Sequence, residues 1–154
     1  MNIRQGTKQD LPQVLELIQE LADFENASGE VTNTITMMEE DGFGEKPIFD
    51  FVVAEDGDKI VGISIYYFRY STWKGKCLYL EDLIVTERLR GKGVGKLLFD
   101  ETVRFAKKTN CKVMTWQVLD WNEPAIGFYK KYDSIFDGEW VNCKLLTDQI
   151  ENFN

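Results

Sequence analysis

The sequence predicts a mixed α/β fold, and three patterns in it do the predicting. Two β-rich runs, residues 49–54 and 59–70, flank Glu55-Asp56-Gly57-Asp58, which is a hairpin signal. A third long β-rich run, 76–85, leads through a glycine-rich stretch into an amphipathic helix and then another strand. Antiparallel hairpins followed by a strand–helix–strand crossover make a mixed sheet with helices packed on it.

Each element has its own local cause. Residues 2–5 read as a short strand. Thr7 followed by Asp10 resembles a capping box with Asp in place of Glu. Leu11, Val14, Leu15, Ile18, Leu21 and Ala22 then keep helical spacing and predict the first helix. A second helix is expected over 32–41, ended by Gly42 and Gly44. The helix over 94–108 carries Lys96, Asp100, Arg104 and Lys108 as a polar stripe. A strand is expected over 112–119 and a helix over 122–132, where Ala125, Phe128, Tyr129 and Tyr132 share a face. A last strand is expected over 139–146. Leu146, Ile150 and Phe153 have the helical spacing of a tail that packs on its own core or on a neighbour.

The chain has 154 residues, the length of one domain, and no low-complexity linker or internal repeat. With 18 cations and 26 anions its formal charge is −8, which argues against general nucleic-acid or anionic-membrane binding and suits a cationic small substrate. It contains no histidine, which excludes a Ser-His-Asp triad, a His general base and His-ligated zinc or haem. Cys77, Cys111 and Cys143 are far apart, so no metal site is expected, and they read as reduced thiols of a cytoplasmic protein. The first ten residues lack an apolar targeting core, and no run has the ~18 apolar residues of a membrane span.

RGKGVGK, Arg90 to Lys96, follows a strand and opens a helix. Gly91, Gly93 and Gly95 let the backbone approach an anion, and the helix N-terminus adds roughly half a positive charge. Arg88, Arg90, Lys92 and Lys96 concentrate four cations there. The spacing is too short for a Walker A loop, and the third glycine comes one residue early for a dinucleotide fingerprint. What fits is Arg-x-x-Gly-x-Gly, and the strand–turn–helix setting favours an anion site over a plain surface turn.

Glu81 and Asp82 interrupt an otherwise apolar strand, YLEDLIV. In regular alternation they point to opposite sides. Adjacent half-buried carboxylates raise one another's pKa, which suits a general base near neutral pH; a structural pair meeting Lys or Arg is the other reading. In WNEP, Asn122 is a good N-cap and Pro124 fits the first helical turn. Tyr129 lies on the core-facing stripe, yet a buried phenol needs a polar partner, and without histidine it is the natural acid beside a thiol leaving group.

YLEDLIVTERLRGKGVGKLL and VLDWNEPAIGFYKK together resemble the GNAT N-acetyltransferases, in particular the spermidine/spermine acetyltransferase group. LIQELADFE, DGFGEKP and IYYFRYSTWKGK extend the likeness over nearly the whole chain, so 1–154 is expected to be a single N-acetyltransferase domain. The resemblance implies a mostly antiparallel sheet of six to seven strands with about four helices, splayed between its two central strands to admit acetyl-CoA. By that likeness the backbone of Leu83, Ile84 and Val85 pairs with the pantetheine arm. Arg90, Gly91, Lys92, Gly93, Val94, Gly95 and Lys96 wrap the pyrophosphate, and Asn122 bonds the pantetheine end. Glu81 is then the base and Tyr129 the acid, in direct attack of an amine on the thioester within a ternary complex. Phe24, Glu25, Trp73, Asp82 and Glu139 match the acidic, aromatic amine pocket, and the family implies a homodimer.

Two departures are informative. Polyamine-type members carry Asp-Pro where Ser71-Thr72 precede Trp73, which places this chain nearer the diamine or thialysine branch. Asp133 stands where the family tends to have Gly, and Asp tolerates the left-handed conformation such a turn needs. A protein or peptide lysine acetyltransferase and a non-catalytic acetyl-CoA sensor are the competing functions.

Overall fold

Five strands form the sheet in the computed structural model, which describes residues 1–153. They are β1 (Asn2–Gln5), β2 (Asp50–Asp56), β3 (Lys59–Ser71), β4 (Gly75–Val85) and β5 (Val113–Thr115), and they neighbour one another in sequence order. The first four pair antiparallel and β5 joins β4 in parallel. Five α-helices accompany them: α1 (Leu11–Phe24), α2 (Ile35–Phe43), α3 (Val94–Lys108), α4 (Glu123–Lys130) and α5 (Thr147–Glu151). One compact unit spans Met1–Gln117, and a second begins at Val118.

In the first unit the sheet buries both faces. Leu11, Val14 and Leu17 of α1 and Met38 of α2 pack with Phe51, Val53, Ile63, Ile65 and Ile84 on one side. Val94, Leu98 and Ala106 of α3 pack with Val52, Val61, Tyr66 and Leu78 on the other. The helix comes close to β3 because position 62 is glycine: a Cβ there would lie 2.9 Å from both the Ile84 carbonyl and a Leu98 methyl. Beside it the buried Ser64 hydroxyl donates to Thr102 Oγ1 at 2.6 Å, and Thr102 in turn donates to the Leu98 carbonyl. Every polar atom in that buried contact is thus satisfied.

The start of the chain is held by charge. Arg4 bonds both oxygens of Asp10 at 2.8 Å and also reaches Glu55. The expected capping box opens a short 3₁₀ turn, Lys8–Asp10, in which the Thr7 N–H and hydroxyl both donate to Asp10. The Arg4 guanidinium is the main reason that the Asp10 carboxyl is lowered to about 2. A carboxylate depressed in the fold stabilises above its unfolded pKa and loses that contribution as pH falls through its folded one. Asp10→Asn is therefore expected to lower the unfolding free energy by about 2 kcal/mol at pH 7, with the gap closing between pH 4 and pH 2 in urea titrations.

Three expectations need correction. The sheet has five strands, not six to seven, and there are five α-helices in place of about four. The strand expected over 112–119 is only Val113–Thr115. No strand forms over 139–146. That segment has a strand's composition but no ladder, and Trp140, Val141 and Leu145 are exposed. A strand is made by its hydrogen-bonded neighbour, which composition does not supply.

Candidate active site

β4 carries five of the expected site residues, Glu81 to Val85, and its two edges are unequal. One is paired with β3 along its length, from Gly75 to Val85. The other pairs with β5 only at Cys77, Leu78 and Tyr79. Among the described residues no strand covers that edge over 80–85, where Leu83, Ile84 and Val85 lie. That edge is open because β5 stops after three residues.

The acid pair sits at a fault in the β3–β4 ladder. Ile65 pairs with Asp82 and Tyr66 with Leu80, so Glu81 is an extra residue with no partner. Partners across an antiparallel ladder share a face. Tyr67, opposite Tyr79, therefore lies on the same face as Ile65 and Asp82. The Tyr67 hydroxyl donates to Glu81 Oε2 at 2.8 Å. The bulge thus brings both carboxylates to the α1 face, which corrects the opposite-sides expectation. Burial, then the nearby charges of Glu81 and Glu25, raise the Asp82 carboxyl to about 6. Glu25, at the C-terminal end of α1, is itself raised by burial.

The glycine turn has the backbone of an anion cradle. Gly91 and Gly93 take left-handed φ values of 73° and 88°, and Gly93 is the residue from which α3 starts. The first intrahelical bond runs from the Leu97 N–H to the Gly93 carbonyl at 3.2 Å, so the N–H groups of Val94, Gly95 and Lys96 head the helix. Lys92 is exposed, and Lys96 is bridged to Asp100. Arg90 is turned back toward α1: it donates to the Val85 carbonyl, pairs with Glu20 at 3.6 Å and covers the Phe24 ring at 4.8 Å. Glu20 also accepts from the Glu87 N–H and the Thr86 hydroxyl, tying the turn to α1.

Trp73 stands apart from these groups. It lies in the β3–β4 turn, 85% exposed, and the six strand steps from Gly75 to Glu81 amount to about 20 Å. Within one chain the fold does not bring it to the acid pair. In the second unit, Asn122 caps α4 by accepting from the Ala125 N–H at 3.3 Å. Tyr129 is 7% exposed, and its carbonyl accepts from the Ser134 hydroxyl. Asp133 has φ 54°, the left-handed turn anticipated for it. Glu139 is exposed, its N–H bonded to Asp137. Tyr67 and Glu20 were not among the expected site residues, because each is identified only by what it touches.

Comparison with known proteins bears on the family and the fold. The family model described as the Acetyltransferase (GNAT) family matches residues 14–133. Thialysine N-epsilon-acetyltransferase of Mus musculus is 38% identical over 136 residues, 83% of this chain and 80% of that protein. Spermidine/spermine N(1)-acetyltransferase-like protein 1 of Homo sapiens is 37% identical over 82% of this chain and 19% of that one. Among solved structures, a mutant of the BH1408 protein from Bacillus halodurans shares the fold, with a TM-score of 0.79 and 24% identity over 95% of this chain and 100% of that one. No described helix is long and apolar enough to cross a membrane. A match over most of the chain, with the half-open strand and the glycine turn in place, means that this chain belongs to the GNAT acetyltransferase family and is an N-acetyltransferase.

Proposed function

We propose that the enzyme acetylates a primary amine of a small cationic substrate, a short diamine or a thialysine- or lysine-like molecule. The observation that carries this reading is the bulge at Glu81. It sets two carboxylates on one face, where they and Glu25 interact electrostatically, and burial leaves Asp82 poorly compensated. An ammonium group is the ligand that relieves such a cluster. The thialysine enzyme's 38% identity supports the branch suggested by Ser71 and Thr72.

The chain's residues fit acetyl-CoA. The uncovered edge of β4 at Leu83, Ile84 and Val85 suits an extended amide-bearing arm, and the turn from Arg90 to Lys96 suits a pyrophosphate. Acetyl-CoA supplies an acetyl group activated as a thioester. In this reading Glu81 takes the ammonium proton, directly or through one water, so that the nitrogen lone pair becomes nucleophilic. A C–N bond forms as the C–S bond breaks, the Tyr129 phenol gives its proton to the departing sulfur, and the second proton of the attacking nitrogen restores the phenol. Phe24, Glu25 and Asp82 hold the amine, while Asn122 orients the arm. Trp73 and Glu139 belong to the pocket as contributions from a homodimer partner. Ile135, Val141 and Phe153, 95%, 84% and 83% exposed, support such a dimer.

The test is thiol release from acetyl-CoA with a panel of spermidine, short diamines, lysine, thialysine and an aminoglycoside. Turnover is expected on thialysine, lysine or the diamines. A strong preference for spermidine overturns the branch assignment. Bound acetyl-CoA without turnover on any of them overturns the small-amine reading and favours a protein substrate or a sensor.

A further inference from the structure

The Tyr67 hydroxyl is within hydrogen-bonding distance of Glu81, 2.8 Å from Oε2. Glu81, as the bulged residue, has no partner in the β3–β4 ladder to fix its orientation. Tyr67 is well anchored: its ring packs against that of Tyr79 with centroids 5.4 Å apart, and the two residues are partners in the β3–β4 ladder. Burial, then the Glu81 carboxylate, push the Tyr67 phenol upward, so it stays protonated and donates to Glu81. A fixed donor on one carboxylate oxygen leaves the other, Oε1, as the oxygen that could accept from a substrate.

We propose that Tyr67 is a positioning residue for acetyl transfer, holding Glu81 in the one orientation in which its free oxygen meets the amine. The proposal rests on the reading of Glu81 as the base. It assigns Tyr67 no proton transfer and no contact with substrate.

The test is a double-mutant cycle on the full-length enzyme, read by thiol release with acetyl-CoA varied up to saturation. Tyr67→Phe keeps the ring on Tyr79 and removes only the hydroxyl. It is expected to lower kcat about tenfold, with the KM for acetyl-CoA unchanged. In the Glu81→Gln background, which has already lost the base, Tyr67→Phe is expected to change kcat less than twofold. Tyr79→Phe removes the neighbouring hydroxyl and is expected to match the parent enzyme. Three outcomes overturn the proposal: parental kcat in Tyr67→Phe, the same tenfold loss in the Glu81→Gln background, or an equal loss in Tyr79→Phe. Parental activity in Glu81→Gln alone overturns the base assignment itself and is distinct from all three.

Discussion

Glu81→Gln is expected to lower kcat by roughly two to four orders of magnitude and to leave the KM for acetyl-CoA within about twofold. The amide keeps the side chain's length and can still accept from the Tyr67 hydroxyl. What it loses is basicity. Folding is expected to be unaffected, because the side chain is exposed and the residue lies outside the ladder. Removing the neighbouring charge also removes one of the causes that raise Asp82. The measurement is steady-state thiol release with a thermal melt beside it. An unchanged kcat, together with an inactive Asp82→Asn variant, moves the base one residue along the strand.

The second large effect belongs to the glycine turn. Gly93→Val is expected to raise the KM for acetyl-CoA by roughly 100-fold, with kcat at saturation nearly unchanged. A side chain at Gly93 meets nothing within 4 Å, so steric overlap plays no part. The cause is the backbone angle, φ 88°, which a β-branched residue resists. The turn then relaxes, and the N–H groups at the head of α3 no longer converge on an anion. Gly93→Asn separates this cause from others, because asparagine tolerates left-handed angles; it is expected to cost less than about tenfold. Equal defects in the two variants point to side-chain bulk. A defect in kcat alone contradicts a role in holding the pyrophosphate.

What the sequence disclosed and what it withheld divide along a physical line. α1 was legible because Leu11, Val14 and Ile18 repeat with the helix period, and α3 because a polar stripe interrupts apolar residues. The β2–β3 hairpin was legible because Gly57 supplies the left-handed turn, at φ 62°. These are local causes. The fault at Glu81 was not legible, since a strand buried on both faces has no alternation to break and a bulge leaves no mark in YLEDLIV. The segment 139–146 was misread for the complementary reason: its residues favour a strand, but pairing is a property of two segments. The acid pair was found by residue type alone, whereas the shared face and the bond to Tyr67 needed the register.

The ladder between β3 and β4 runs Ile65 to Asp82 and then Tyr66 to Leu80, so that along β3 it has no gap at all. A chain with position 81 deleted would close the same sheet on the same pairs, with Leu80 and Asp82 on the faces they occupy now. The pairing is indifferent to this residue. Glu81 is surplus to the fold, a single position held outside the pattern that its neighbours obey, and its side chain is therefore set by chemistry without a competing demand from packing.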